Sequence, residues 1–145
     1  MSPIRWICSL FLVTILFSIS GCKKIDDPPE IAFTTIVKSN YVEMNNGRFV
    51  INSASDWHES IQGHDLPSID FAKEMIIAIC IGTKPSSGYG VQVRRIIAKK
   101  NQLEVEVDEW SPAPGEIVFF ILTKPCHIIR LQRIDKSVEF ITSKD

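Results

Sequence analysis

The sequence predicts an all-β domain, a β-sandwich or half-open barrel of mostly antiparallel strands with one short helix. Short apolar or β-branched runs recur from residue 31 onwards, and turn-forming residues separate them. Only one segment places its apolar residues at helical spacing. There is no internal repeat, and residues 22–145 have about the length of a single domain.

The first two predicted strands are residues 32–38 and residues 48–52. Both are short and rich in β-branched or aromatic residues. Between them, Asn45-Asn46-Gly47 supplies turn chemistry. We therefore expect these two runs to precede the helix as separate strands.

The single helix is predicted over residues 53–62. Ser53 or Ser55 can cap its first turn, since a serine hydroxyl accepts from the free amides there. Trp57 and Ile61 form an apolar pair at i, i+4. Gly63 is expected to end the helix, and a loop follows to residue 68.

Residues 75–82 are a continuous apolar run, which indicates a central strand buried on both faces. Residues 90–97 alternate at first and then lose their phase at Arg94-Arg95, which predicts a β-bulge.

Residues 103–109 alternate strictly between apolar and acidic residues. Such a strand has one dry face and one wet face, so Glu104, Glu106 and Asp108 are expected in solvent. The last three predicted strands are residues 117–123, 127–134 and 138–142.

The N-terminus carries the marks of a secretory signal: Arg5, an apolar run over residues 6–17, and small residues before Cys22. The run is shorter than the roughly 20 residues of a spanning helix. Ile19-Ser20-Gly21-Cys22 resembles the lipobox of bacterial lipoproteins, which implies diacylglyceryl transfer to Cys22 and cleavage before it. A plain transmembrane anchor and a secreted chain are the alternatives.

The predicted organisation is a signal peptide over residues 1–21, a tether over residues 22–30 and one β domain over residues 31–145. The tether is charged and contains two prolines, without apolar periodicity. We expect the chain on the exported side of a bacterial membrane. Lys23 stands where an aspartate is associated with inner-membrane retention, which favours the outer membrane.

Composition excludes several classes of function. The net charge is −1, and loss of Arg5 with the signal makes it −2, so no basic excess indicates nucleic acid as a partner. The three histidines lack metal-ligand spacing, and no motif indicates a cofactor. Cys126-His127 invites a thiol-nucleophile interpretation, but neighbours on a strand point to opposite faces. We therefore expect no enzyme, no metal and no cofactor.

Cys80 and Cys126 are the two cysteines left after the signal and the lipidation site. In an oxidising compartment they could form a disulfide. Alternatively, Cys80 is a small core residue and Cys126 an unrelated loop thiol, because sequence alone gives no distance between them.

Three connections are candidates for contact with a partner: residues 82–90, 109–116 and 123–127. Proline fixes one backbone dihedral and glycine permits a positive one, so these loops are expected to be shaped, with Tyr89 near the exit of the first. Trp110, beside the second, is assigned to the core. The candidate binding residues are Lys84, Pro85, Ser86, Ser87, Gly88, Tyr89, Pro112, Ala113, Pro114, Gly115, Lys124 and Pro125.

The same loops carry a resemblance. Phe71-Ala72-Lys73-Glu74-Met75, the run from Gly82 to Tyr89, Ser111-Pro112-Ala113-Pro114-Gly115 and the run from Lys124 to Leu131 together resemble the C-terminal domain of the protease complex subunit PrcB family. The resemblance covers roughly residues 49–140. It implies a non-catalytic accessory lipoprotein that binds a protein, plausibly an exported protease.

Two alternatives stay open at this stage. Lys84-Pro85-Ser86-Ser87-Gly88-Tyr89 is similar to the first loop of chagasin-type cysteine protease inhibitors, which would imply inhibition of a protease. A structural envelope lipoprotein without a specific loop ligand is the other alternative. The sequence does not determine the oligomeric state.

Overall fold

The computed structural model describes residues 27–61 and 67–143. The proposed signal peptide, Cys22 and most of the tether lie outside these residues, and so does Gly63, the expected helix end. Among the helices of the described part, none has the length and apolarity to cross a membrane.

Two sheets make up the domain. The first has the order β1-β6-β3-β2, and all its neighbours are antiparallel. The second has the order β4-β5-β7, with β4 and β5 antiparallel and β5 and β7 parallel. The elements are β1 (Phe33–Ser39), β2 (Gly47–Ile51), α1 (Ala54–Ser60), β3 (Glu74–Cys80), β4 (Gly90–Ala98), β5 (Gln102–Trp110), β6 (Cys126–Gln132) and β7 (Ser137–Thr142).

The predicted fold class is confirmed in the described residues: they are rich in strands, mostly antiparallel, with one short helix, and the sheets do not close into a barrel. The parallel pair β5–β7 departs from an antiparallel pattern. The chain leaves β6 in the first sheet and enters β7 in the second, so β7 runs from the same end of the domain as β5.

The main core lies between the two sheets. The dry face predicted for β5 is confirmed, since Leu103, Val105 and Val107 are fully buried against Ile77 and Ile129 of the other sheet. Burial of such side chains stabilises the fold by about 1.5–3 kcal/mol each.

A second core lies on the opposite face of the first sheet. Ile76 and Ala78 of β3 pack there with Trp57 of α1 and with Ile61, just after the helix. Every residue from Met75 to Cys80 is therefore buried, which confirms the strand predicted to be covered on both faces.

The helix begins as predicted. The Ser53 hydroxyl accepts a hydrogen bond of 3.2 Å from the backbone amide of Asp56, so Ser53 is the N-cap. A serine cap is typically worth about 1 kcal/mol relative to alanine.

The predicted bulge is confirmed by a register shift between Val93 and Arg95 opposite β5. The prediction that Glu106 is solvated is wrong: its residue exposure is 8%. Around the bulge, Arg94 and Arg95 both reach this carboxylate, at 2.6 and 2.7 Å. The Arg95 and Arg94 guanidiniums lower the pKa of Glu106 to about 2.

Cys80 and Cys126 form a disulfide, which decides between the alternatives left open by the sequence. The two residues are directly opposite in the β3–β6 pairing, with their Cα atoms 4.2 Å apart. The bond therefore joins the last residue of β3 to the first residue of β6.

Candidate functional site

The three candidate loops meet at one end of the domain, which we call the loop end. β3 and β5 finish there, and β4 and β6 begin there, as the pairs Cys80–Cys126 and Gly90–Trp110 show. The loop end consists of the first loop (residues 81–89), the second loop (residues 111–116), residues 117–122 and the third loop (residues 123–125). Sheet topology thus brings together segments that are distant in sequence.

The first loop is hydrogen-bonded to the segment that precedes β6. The Ser87 amide donates to the Phe119 carbonyl, and the Phe119 amide donates to the Ser87 hydroxyl, both at 2.9 Å. Lys84 and Thr123 exchange backbone hydrogen bonds of 2.8 and 3.0 Å. These four bonds fix the two segments side by side.

Gly88 is the point of contact between the first and second loops. Its φ is +93°, which confirms the expected positive dihedral. A Cβ atom at this position would lie 2.9 Å from Cγ of Pro112 and 3.1 Å from Cγ1 of Val118. Only glycine therefore allows both this backbone conformation and the close approach of Pro112.

The third loop connects the loop end to the residues that follow β1. The Lys124 amide donates to the Asn40 carbonyl at 2.6 Å, and the Lys124 ammonium pairs with Glu43, also at 2.6 Å. The Ile81 amide donates to the Pro125 carbonyl at 3.1 Å, one residue beyond the Cys80–Cys126 bond. The first and third loops therefore share a cross-linked base.

The candidate residues divide into three groups by exposure. Ser86 and Pro125 are buried, and the Ser86 carbonyl accepts a hydrogen bond from the Thr123 hydroxyl at 3.1 Å. These two residues shape the loops and are not available for direct contact. The exposed residues are Pro85, Ala113, Pro114 and Gly115, and the half-buried ones are Lys84, Ser87, Gly88, Tyr89, Pro112 and Lys124.

Tyr89 keeps part of its ring at the surface. The Lys84 ammonium lies 5.6 Å from the ring centroid, within the range of a cation–π contact. The first loop thus presents an aromatic ring together with a positive charge.

The prediction of a strand over residues 117–123 is wrong. Apart from the single bridge between Lys84 and Thr123, this segment pairs with no strand. Its side chains project into solvent, with exposures of 97% at Ile117, 80% at Phe119, 94% at Phe120 and 69% at Leu122. We call residues 117–122 the apolar segment.

Sequence reasoning missed the apolar segment because a continuous apolar run is normally a buried strand. The available signal was its position between two stiff turns, Pro112-Ala113-Pro114-Gly115 on one side and Lys124-Pro125 on the other. The second loop turns the chain out of β5, and the apolar segment then crosses the loop end without entering a sheet.

The assignment of Trp110 to the core is also wrong, because its exposure is 42%. The indole lies on Gly90, where any side chain would collide with it. The Lys38 ammonium is 5.7 Å from the ring centroid. Trp110 and the exposed Tyr41 line an open groove of about 440 Å³ beside the third loop.

His127 lies beneath the loop end and is 3% exposed. Its Nδ1 accepts a hydrogen bond of 2.8 Å from the Val93 amide, so Nε2 carries the proton and donates to the Thr35 hydroxyl at 2.9 Å. Burial, with a smaller effect of Lys38, lowers the pKa of His127 to about 4, and the ring is neutral at pH 7.

The side chains at the loop end determine which chemistry it can support. The Cys126 sulfur is in the disulfide and both ring nitrogens of His127 are engaged, so these neighbours do not form a nucleophile and base. Within residues 27–61 and 67–143, no three metal-binding side chains come together. The loop end is a hydrogen-bonded surface with exposed aromatic and aliphatic side chains and two half-buried lysines, Lys84 and Lys124.

Comparison with known proteins agrees with the resemblance stated above. Residues 75–132 match the family described as PrcB C-terminal. The match begins in β3, ends in β6 and includes the whole loop end. No curated protein and no solved structure matches the chain, and the likeness to chagasin-type inhibitors has no support in these comparisons.

Proposed function

We propose that this chain is a bacterial lipoprotein, anchored through Cys22, whose β domain is a non-catalytic protein-binding module associated with an exported protease. The match of residues 75–132 to the PrcB C-terminal family supports association with a protease complex. The loop end is the proposed contact surface.

The observation that carries this proposal is the convergence of the loops into one rigid surface. Hydrogen bonds between Ser87 and Phe119, and between Lys84 and Thr123, hold the segments in one arrangement. A surface that is already ordered loses little conformational entropy when it binds. Its exposed aromatic residues are of the types that dominate protein interfaces.

The disulfide also supports export. Bonds such as Cys80–Cys126 persist in oxidising compartments and are rare in the reducing cytosol. An export signal and an internal disulfide are independent features of the sequence and of the fold, and both favour a location outside the cytosol.

Anchoring is tested with Cys22→Ala. The full chain and this variant are expressed in bacteria given labelled palmitate, and membrane and soluble fractions are separated. We expect the label on the unmodified chain together with cleavage before Cys22, and neither label nor cleavage in Cys22→Ala. An unmodified chain that takes up no label and keeps residues 1–21 in the membrane fraction would contradict lipid anchoring and favour the transmembrane alternative.

Protein binding at the loop end is tested by photo-crosslinking in intact cells. A photoreactive residue replaces Ala113, which is exposed at the loop end, or Lys100, which is exposed in the β4–β5 turn at the opposite end. We expect one protein adduct, identified by mass spectrometry as a protease or a subunit of its complex, at position 113 and none at position 100. Identical adducts at both positions, restricted to envelope components, would favour the structural alternative.

A further inference from the structure

We infer that the apolar segment is the principal contact of the loop end, and that it inserts into a concave apolar site of a protein partner with carboxylates at its rim. This inference rests on the proposed function and specifies the surface and the kind of partner. It concerns Ile117, Phe119, Phe120, Ile121 and Leu122.

The exposed apolar surface of this segment is large. Phe119 and Phe120, at exposures of 80% and 94%, alone present on the order of 350 Å², taking about 150–250 Å² for one aromatic side chain. Ile117, Ile121 and Leu122 add to this area at exposures of 97%, 47% and 69%. The largest apolar patch of an ordinary monomer is about 300–600 Å², and one side of a standard protein interface buries about 800 Å². The apolar segment is therefore as large as the largest patch of an ordinary monomer and would supply a substantial part of one side of an interface.

Hydrogen bonds and packing of the backbone fix the exposure of the apolar segment. Both backbone groups of Phe119 are bonded to Ser87, and the Ile121 amide donates to the Phe119 carbonyl at 2.9 Å. Val118 packs on Gly88 and is half-buried between its exposed neighbours. The segment is thus attached through its backbone and through Val118, and its other side chains are directed outwards.

The chain enters the β domain at the end opposite the apolar segment. The Ala98 amide donates to the Pro29 carbonyl at 2.9 Å, and the Ile31 amide donates to the Ile96 carbonyl at 2.8 Å. The tether therefore joins the domain at the far end of β4, opposite the loop end. β4 has nine residues, so these two ends are separated by about 26 Å of strand, and the loops extend further.

This position argues against the anchoring bilayer as the occupant. Residues 22–28, even fully extended, reach at most about 25 Å. The apolar segment would meet the bilayer that holds Cys22 only if the tether were fully stretched and folded back along the domain. The apolar segment can contact a protein at some distance from the membrane surface without such an extension of the tether.

The same position argues against a second copy. Two domains that met end to end through their loop ends would direct their tethers away from each other, so both could not be anchored in one bilayer. The apolar segment also projects from the domain, and a projecting surface is complementary to a concave one.

The charge beside the apolar segment indicates the rim of the partner site. Lys84 exchanges backbone hydrogen bonds with Thr123, directly after the segment, and its ammonium lies 5.6 Å from the Tyr89 ring centroid. Among the described residues, Lys84 forms no ion pair with a carboxylate. Carboxylates on the partner would complement this lysine and would accelerate association at low salt.

The test uses the full-length lipidated chain and the partner identified through position 113, both purified in detergent. Phe119→Ser and Phe120→Ser together remove two exposed aromatic side chains. We expect them to weaken binding at least about 100-fold, mainly through faster dissociation. The matched control is Ile141→Ser on β7, an exposed apolar residue away from the loop end with 38% exposure, and we expect its effect to be less than about threefold. Lys84→Glu should slow association at low salt.

The outcomes separate this inference from the proposed function. If the identified partner binds the double variant and the unmodified chain equally well, the apolar segment is not the contact, while the proposed function stands. If a photoreactive residue at position 120 yields only phospholipid adducts or only adducts with a second copy, the inference that a different protein binds the apolar segment is wrong. If no protein is recovered at position 113, the proposed function itself fails.

Discussion

His127 shows how a buried polar side chain acts on stability at the scale of one residue. The neutral ring receives a hydrogen bond from Val93 and donates one to Thr35, so it connects β6 to β4 in the other sheet and to β1. Protonation of Nδ1 would place a donor against the Val93 amide in a desolvated position. Burial, with a smaller effect of Lys38, lowers the pKa of His127 to about 4.

We therefore expect acid to destabilise the domain through His127. Its folded pKa, about 4, is below the ordinary value of 6.5, so the unfolded chain binds the proton first as pH falls. The contribution of the neutral ring is complete above pH 6.5 and is lost as pH falls to about 4. A shift of this size corresponds to on the order of 3 kcal/mol.

The measurement is the free energy of unfolding in urea between pH 7 and pH 4. In His127→Gln the decrease over this window should be largely absent, although the variant is less stable at pH 7. The exposed His58 provides the control, and His58→Gln should retain the decrease. A decrease in His127→Gln equal to that of the unmodified chain would contradict this account. Loss of the Glu106 contribution begins below about pH 4.5 and continues towards pH 2, so it overlaps only the acid end of this window.

At the scale of elements, β3 and β6 position the loop end. They are neighbouring inner strands of the first sheet, paired from Glu74–Gln132 to Cys80–Cys126. The disulfide closes this pairing at the point where the first and third loops leave the sheet. The loop geometry therefore depends on a covalent bond as well as on hydrogen bonds between Lys84 and Thr123.

We expect the paired change Cys80→Ala and Cys126→Ala to lower the free energy of unfolding by about 2–4 kcal/mol, because the bond closes a long loop in the unfolded chain. The two cysteines are 46 residues apart. Denaturant unfolding of the full chain measures the change. Alkylation and mass spectrometry first show whether the unmodified protein has free thiols at these positions. An unchanged midpoint and unchanged free energy would contradict a structural role for the disulfide.

At the scale of the whole molecule, the tether and the loop end lie at opposite ends of the β4 direction. The Pro29 carbonyl accepts a hydrogen bond from the Ala98 amide at one end of β4, whereas Gly90 pairs with Trp110 at the loop end. A domain anchored through residues 22–28 would thus present its loops away from the membrane.

This orientation is measurable by energy transfer. The full-length lipidated chain is labelled at position 113 or at position 100 and placed in liposomes that contain an acceptor dye in the headgroup layer. Transfer should be stronger from position 100, because position 113 is about 26 Å further along the strand direction. The chain produced without residues 1–22, which lacks the proposed lipid anchor, should give little transfer from either position. Stronger transfer from position 113 would show that the loop end faces the bilayer.

The sequence could predict those features that depend on interactions between residues close together along the chain. Patterns within one segment were interpreted correctly: the cap at Ser53, the alternation of β5, the doubly buried β3 and the bulge near Arg94. Each of these follows from spacing along the chain and from the preference of apolar residues for burial. The resemblance to the PrcB family also came from short motifs, and the match over residues 75–132 confirms it.

Contacts between distant segments could not be predicted in this way. The bulge brings the guanidiniums of Arg94 and Arg95 to Glu106. The Trp110 indole packs on Gly90. The arrangement of the two sheets makes β7 parallel to β5. The apolar segment is the clearest case. Its sequence has the hydrophobicity of a buried strand, but it belongs to neither sheet. By itself the sequence determined the class of the fold and the elements with strong periodicity, and the export signal that it indicates stays a prediction. Only the tertiary structure decided which apolar residues are buried, because burial depends on the surfaces that other parts of the chain supply.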